Sequence, residues 1–455
     1  MKMRSTLRVK LLPAAVCAVL LSGCASFSQD GGIDTVSQLT KQRTGQAVSR
    51  PASVDNANVN PERVSALLKQ PLNPDSTVQI ALLNNQGLQA AFAELGVAEA
   101  DYVQSGRMRN PGLSFQHLRS GESLEIDRGV TFDLIGLLTI PLRTGIEQRR
   151  FDQAKLQAAA TAVQLAADAR RAYFEAVAAR QAATYMEQVQ SAAQASAELA
   201  TRMAKVGNWS KLDQAREQAF YAKATAQVAR SRQNAVATRE QLTRLLGLWG
   251  QQGTTFTLPD RLPDLPKSAT DMANLESQAM SQRLDIQIAK RDAEATAKGL
   301  GLTRATGFLN VLDAGYANKS QSGLPRENGY QISLELPIFD WGGARTAKAE
   351  ALYMQAVYRT ADTAIRARSE VREAYAAYRT SYDLAKHYRD EVVPLRRKIS
   401  DEVMLRYNGM LASVFELLAD SREQANSVNT AIEAQRDFWV ADTRLQGAIS
   451  GAGTK

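Results

Sequence analysis

Between Ile146 and Val206 the chain contains neither proline nor glycine, and alanine is abundant throughout. A run of that kind predicts one uninterrupted α-helix of roughly 90 Å, at 1.5 Å per residue. Ala159, Val163, Ala166, Ala169, Tyr173 and Val177 advance by four, three, three, four and four residues, which gathers them on a single helical stripe that needs a packing partner. Asp168, Arg170 and Arg171 interrupt the run with charge, so it is not a lipid-spanning helix. A second run, from about 344 to 406, repeats the pattern but carries Pro394. Its missing N–H and its clash with the Asp390 carbonyl predict a bend there.

Both runs end in the same kind of interruption. KVGNWSKLDQAREQ (205–218) and RYNGMLASVFELLADSREQ (406–424) each place a glycine before an apolar and acidic stretch, and both close on Arg-Glu-Gln. Shorter helices follow, over 210–246 and about 413–447. The similarity extends to the whole chain, because two halves superpose with an offset near 200 residues. Each half opens on a helix, with Ala81 answering to Ala279 and Leu88 to Ile286. Strands follow: LSFQHL and GVTFDLIGLLTIPL around the polar loop RSGESLEID, then FLNVLDAGYA and GYQISLELPI around KSQSGLPREN. Pro141 and Pro337 are expected to close the second strand of each pair, and glycine-bearing links at Gly145 and Gly342-Gly343 lead into the long helices.

The divisions follow from this layout. Residues 1–23 read as an export signal, with Lys2, Arg4, Arg8 and Lys10 ahead of an apolar run too short to span a bilayer. Residues 24–75 form an irregular leader, 76–250 the first repeat, 251–270 a linker with Pro259, Pro263 and Pro266, 271–447 the second repeat, and 448–455 a tail. Removing the signal takes four of the 55 basic residues and none of the 47 acidic ones, so the net charge falls from +8 to +4. No basic tract with interleaved aromatics remains, which argues against a nucleic-acid partner.

For catalysis the chain offers little. His117 lies in a strand pattern and His387 among Lys386, Tyr388 and Arg389, neither with a metal-ligand cluster. There is no phosphate-binding glycine loop and no nucleophile elbow. Neither a cofactor, a metal nor an enzyme activity is expected.

Tyr330, Ile332, Leu334 and Leu336 alternate with Gln331, Ser333 and Glu335, and Val130, Phe132, Leu134, Leu138, Ile140 and Leu142 keep a similar phase. Alternation fits a barrel with lipid outside and water inside, and equally a sheet with one face on a soluble core. Strand count constrains the first option. Membrane barrels begin at about eight strands because open edges cannot face lipid, so four strands per chain require several copies in one barrel.

Leu21-Ser22-Gly23-Cys24 resembles the lipobox of bacterial lipoproteins, in which the cysteine carries the acyl chains; Ala25 after it resembles lipoproteins sorted to the outer membrane. With that anchor and the ordered double layout, the chain resembles the TolC-like outer-membrane efflux channels, in their lipoprotein branch. The resemblance covers 76–447 as well as the anchor. It implies a mainly α protein with membrane β structure: a tandem-repeat protomer giving four strands to a trimeric twelve-stranded β-barrel and long helices to a periplasmic α-helical barrel. It also implies an inner-membrane pump and a periplasmic adaptor as partners, with the homotrimer acting as a passive exit duct. A periplasmic adaptor lipoprotein is the alternative, since it too can carry an anchor and a helical hairpin.

Carried over residue by residue, the resemblance marks Gly207, Asn208, Trp209 and Ser210, with Gly409, Met410, Leu411 and Ser413, as the adaptor-facing tip. Asp213 and Glu416, with Asp420 one turn on, are candidates for carboxylate rings at a gate, near Arg406 and Tyr407. The other reading of the three carboxylates is that they sit near helix N-termini, where the macrodipole favours them. The second copy departs by an apparent one-residue insertion, since Gly409 to Ser413 is longer than Gly207 to Ser210, and by Glu for Asp.

Overall fold

The structure is a computed structural model and describes residues 26–49, 61–271, 273–307 and 311–452. Cys24 and the signal segment lie outside the described residues. In chain order the elements are α1 (Ile33–Thr44), α2 (Pro61–Leu68), α3 (Pro74–Asn84), α4 (Gln86–Ser105), β1 (Gly112–Ser120), β2 (Ser123–Asp133), α5 (Leu134–Lys205), α6 (Lys211–Leu245), α7 (Gln251–Thr255), α8 (Leu275–Gln282), α9 (Leu284–Ala305), β3 (Leu312–Gln321), β4 (Glu327–Leu334), α10 (Gly343–His387), a π-helical turn (Tyr388–Val392), α11 (Val393–Asn408) and α12 (Val414–Ser450). They pack into two units, each drawing on both repeats. One contains Phe92–Ala158 and Ile286–Thr363, and the other Thr35–Ala91, Ala159–Asp285 and the chain from Ala364 onward. The leader, expected to be irregular, contains α1 and α2, and Val36 and Thr40 of α1 are fully buried.

The long helix is longer than its proline-free core. α5 has 72 residues and begins at Leu134, so the strand expected to reach Leu142 ends at Asp133 and Pro141 sits inside a helix. Local chemistry accounts for this. The Asp133 carboxylate accepts a hydrogen bond from the Gly136 amide (2.6 Å) in the manner of an N-cap. The carbonyls of the next turn are then taken up by side chains, with Thr139 Oγ1 donating to Ile135 O (2.8 Å) and Arg143 Nη2 to Gly136 O (2.8 Å). The polar stretch RSGESLEID is correspondingly not a loop. It is mostly strand, folded at a two-residue turn where Gly121 takes a φ of +59°.

In the second unit the α5 stripe is buried as its spacing requires, with Ala159, Ala169 and Val177 wholly inaccessible. The second repeat builds its own core from Val371, Ala374, Tyr378 and Tyr382 of α10, Phe438 and Leu445 of α12, and Leu275 and Ala279 of α8. The linker seals that core by its carbonyls: Trp439 Nε1 donates to Pro263 O (3.0 Å) and Tyr382 Oη to Lys267 O (3.1 Å).

The first helix of each half is broken, at matching places. α3 and α4 part at Asn85, and α8 and α9 part at Arg283. Against each break docks the glycine that follows the last helix of the same half. A Cβ on Gly247 (φ +65°) would stand 2.4 Å from Asn84 O, and one on Gly451 (φ +78°) 2.8 Å from Leu284 N. A side chain at or next to the break also bonds the end of the last helix. Asn84 Nδ2 donates to Gly247 O (2.7 Å) and Leu246 O (3.1 Å), and Arg283 Nη1 to Ala448 O (2.9 Å). Each repeat is thus clasped end to beginning by a buried polar side chain and a left-handed glycine.

The bend expected at Pro394 takes the form of the π-turn. Val393 N donates to Tyr388 O, five residues back, so the helix opens by one residue where proline cannot make its bond.

Candidate functional site

Two regions carry the function-bearing geometry, one in each unit. In the first unit the four strands form one antiparallel sheet in the order β1-β2-β3-β4, so the hairpins of the two repeats join through β2 and β3. Directly paired residues share a face, and the register sorts most side chains by polarity, with Arg128, Asn318 and Asn328 in line with Phe115 as the exceptions on the apolar face. Leu113, Val130, Tyr316 and Tyr330 form one row, and Phe132, Ala314 and Ile332 the next, with Leu312 and Leu334 beyond. The opposite face carries Ser114, Gln116, Glu125, Asp127, Thr131, Asp313, Lys319 and Gln331. The apolar face is not a soluble core, because Leu113 is 84% exposed and Tyr330 91%. The edge strands β1 and β4 are exposed along their whole length. An unpaired pair of edges and an uncovered apolar face describe a segment of a barrel wall. Among the described residues no helix is long and apolar enough to cross a membrane.

In the second unit the two helical turns are equivalent in hydrogen bonding. At the end of α5, Asn208 N donates to Met203 O (3.0 Å) and Gly207 N to Ala204 O (3.2 Å); at the end of α11, Leu411 N donates to Arg406 O (2.8 Å) and Met410 N to Tyr407 O (3.0 Å). Both are Schellman closures. The left-handed residue is Gly207 (φ +80°) in one turn and Met410 (φ +60°) in the other, whereas Gly409 has an ordinary φ of −81°. Gly207 therefore corresponds to Met410 rather than to Gly409, and the apparent insertion disappears. From that residue each turn reaches its N-cap serine in three steps. A methionine held left-handed costs roughly 1 kcal/mol. Met410→Gly should accordingly stabilise the protein by about 1 kcal/mol and Gly207→Ala destabilise it by a similar amount, read as shifts in thermal midpoint.

The next helices start alike. Ser210 Oγ accepts from Asp213 N (3.1 Å) and Ser413 Oγ from Glu416 N (3.2 Å), so both carboxylates occupy the third position of a capped helix. Asp213 is also held by Ser210 Oγ (2.6 Å) and Arg216 Nη1 (3.3 Å), while Glu416 is exposed. Asp420 lies one turn along α12, and its Oδ2 is enclosed without a hydrogen bond. Arg406 pairs with Glu402 on its own helix (3.1 Å), and Tyr407 is 37% exposed. The turns are brought together by Trp209 and Phe415, whose rings lie 4.5 Å apart. Val206, Leu212, Met410 and Leu411 remain exposed around them.

One contact between the repeats escaped the reading of the sequence. Glu217 is buried, accepts from Ser196 Oγ (2.6 Å) and pairs with Arg422, which lies over the Phe220 ring at 4.4 Å. The visible signal was the shared Arg-Glu-Gln ending: the glutamate of the first copy meets the arginine of the second. The histidines play no such part, with His387 pairing to Glu391 (3.2 Å) on the same helical stretch and His117 exposed in β1.

The outer membrane efflux protein family model matches residues 275–449, most of the second repeat. No curated protein sequence matches the chain. Its fold is shared by solved outer-membrane channels. The CmeC channel of Campylobacter jejuni aligns with a TM-score of 0.71 at 16% identity, over 91% of this chain and 92% of its own. VceC of Vibrio cholerae aligns at 0.69 and 16% identity, over 83% and 96%, and the open-state MtrE channel of Neisseria gonorrhoeae at 0.68 and 17%, over 83% and 89%. The likeness spans both repeats, including the first, which the family model leaves unmatched.

Proposed function

We propose that this chain is the outer-membrane channel of a tripartite efflux system, a passive exit duct for substrates delivered by an inner-membrane pump through a periplasmic adaptor. The observation that carries this reading is the sheet, with its uncovered apolar face, its polar reverse and its two free edges. Three copies would contribute four strands each and close a barrel with apolar side chains toward lipid and polar ones toward water. The chain performs no chemistry; it encloses a polar path, and the energy comes from the pump. An adaptor is set aside because both hairpins join one sheet that is continuous with the long helices.

The exposed Val206, Leu212, Met410 and Leu411 around the paired turns support Gly207 to Ser210 and Gly409 to Ser413 as the adaptor-facing tip. Asp213 and Glu416 just behind them supply the negative charge of a selectivity gate. Acylation of Cys24 anchors the leader to the outer membrane, where several acyl chains hold far more firmly than one. Fractionation with chemical cross-linking tests the assembly, and labelled palmitate tests the anchor. The expected result is a trimer in the outer membrane that incorporates label, with Cys24→Ser losing the label. An inner-membrane hexamer or a monomer would overturn the duct.

A further inference from the structure

We propose that His117, Arg119 and Arg128, on the lipid-facing side of the first hairpin, form a binding site for a phosphate-bearing lipid headgroup of the outer leaflet. The inference rests on the barrel reading and adds to it a specific lipid chemistry.

The sheet register brings the three together. Toward the helices the exposed face is apolar in successive rows, the last of them Leu113, Val130, Tyr316 and Tyr330. The next row toward the hairpin turns breaks this pattern, with Arg128, Asn318 and Asn328 in line with Phe115. Beyond it stand His117 with Ile126 and Ser320, and then Arg119 with Leu124. An arginine on a lipid-facing strand is costly at the bilayer centre and nearly without cost at its edge, so the row of Arg128 marks where hydrocarbon gives way to headgroups. The helices α4, α5, α9 and α10 adjoin the opposite ends of the strands, which makes this the outward-facing leaflet.

The cluster has no counter-charge on its own face. Strand alternation sends Glu125 and Asp127 of β2 and Glu327 of β4 to the other face, where Lys319 pairs with Glu125 (2.5 Å). Glu122 sits in the turn. Among the described residues neither Arg119 nor Arg128 makes an ion pair, and both are exposed, as is His117. The second hairpin puts no cation in these rows: Asn318 Nδ2 donates to Asn328 Oδ1 (2.6 Å), and Ser320 follows.

The side chains suit phosphate attached to a lipid. Each guanidinium offers a planar fork of N–H donors that fits two phosphate oxygens, and the imidazole between them adds another donor. Arg119 and Arg128 stand two rows apart, roughly 14 Å along the strands, a span that long side chains lean across. Phe115, Leu124 and Ile126 lie among them on the same face and give acyl chains an apolar surface. A headgroup with more than one phosphate, joined to acyl chains, meets all of these groups at once, whereas a free anion meets only the cations.

The test titrates the full-length protein, purified in a neutral detergent, with diphosphoryl lipid A and counts bound lipid by native mass spectrometry. Lipid A should be retained and phosphatidylcholine should not. Arg119→Gln with Arg128→Gln should weaken retention at least about tenfold, while Arg119→Lys with Arg128→Lys keeps most of it. Lys319→Gln removes a like charge from the opposite face and should leave retention unchanged. Retention undiminished in the double glutamine variant, or equally reduced by Lys319→Gln, overturns the site. Inorganic phosphate that displaces lipid A at equal concentration overturns the lipid assignment in favour of a free anion. Tyr330→Trp reads the barrel separately, since it should add tryptophan quenching in vesicles of brominated phosphatidylcholine. If it does while lipid A ignores the arginines, the headgroup site fails and the barrel stands; if it adds none, the barrel reading fails together with the site.

Discussion

Replacing both first-turn carboxylates, Asp213→Asn with Glu416→Gln, is expected to reduce the cation-over-anion permeability ratio of reconstituted channels several-fold, or to raise the open probability. Three copies of each residue around an axis near a constriction would form two rings of negative charge, and such rings attract cations in proportion to how little water screens them. The structure supplies a competing role, since both residues occupy the third position of serine-capped helices and carboxylates there stabilise the helix start. The two roles separate experimentally. Ser210→Ala with Ser413→Ala removes the caps and leaves the charges, so it should cost about 1 kcal/mol per helix and leave ion preference intact. Unchanged selectivity and conductance in the carboxylate double variant would remove Asp213 and Glu416 from the gate. Asp213 should contribute less than Glu416 per charge, because Arg216 already pairs with it at 3.3 Å.

Arg283→Met should destabilise the protein by about 3 kcal/mol, the cost typical of breaking a buried charged network from one side. Arg283 is the largest of the fully buried side chains, and its guanidinium reaches Asp285 Oδ2 (2.6 Å), Glu370 Oε2 (2.6 Å) and Ala448 O (2.9 Å). Removing it takes a charged partner from two partly exposed carboxylates and a donor from a helix-terminal carbonyl at the junction where the second repeat closes on itself. Burial lowers the guanidinium pKa, but the hydrogen bonds and charges of Asp285 and Glu370 outweigh it, and the net shift is upward. The group therefore stays charged through any accessible pH, and the loss should be independent of pH across the neutral range. The measurement is the thermal midpoint of the purified protein at several pH values. A cost below about 1 kcal/mol would mean that packing, and not the ion network, holds the clasp. Gly451→Ala probes the same joint from the other side and should also destabilise it, because its Cβ would meet the backbone at Leu284 and Arg283.

Much of this architecture is legible along the chain because its signals are local. The stripe from Ala159 to Val177 depends only on helical period, and Ser210 and Ser413 declare helix starts through their own backbone neighbours. The alternation at Tyr330, Ile332 and Leu334 settles which residues share a strand face. The same locality explains the errors. Pro141 reads as a strand end because proline breaks helices in isolation, yet the Asp133 cap and the Thr139 and Arg143 side chains satisfy the turn around it. Gly409 attracts the turn assignment because glycine favours a left-handed backbone, yet the hydrogen-bond register places Met410 there at a local cost.

The sequence by itself determines the doubled order of helices and strands, the long helical runs, the approximate positions of the two turns and the main polarity of each strand face. All of these follow from backbone preferences and side-chain period within a few residues. The tertiary structure decides which faces and ends meet: β2 of the first repeat with β3 of the second, Glu217 with Arg422, and Arg283 with Ala448. Those pairings join residues far apart in the chain, where no local preference operates. They are selected because they bury charge with its partner and leave one mostly apolar face of the sheet uncovered.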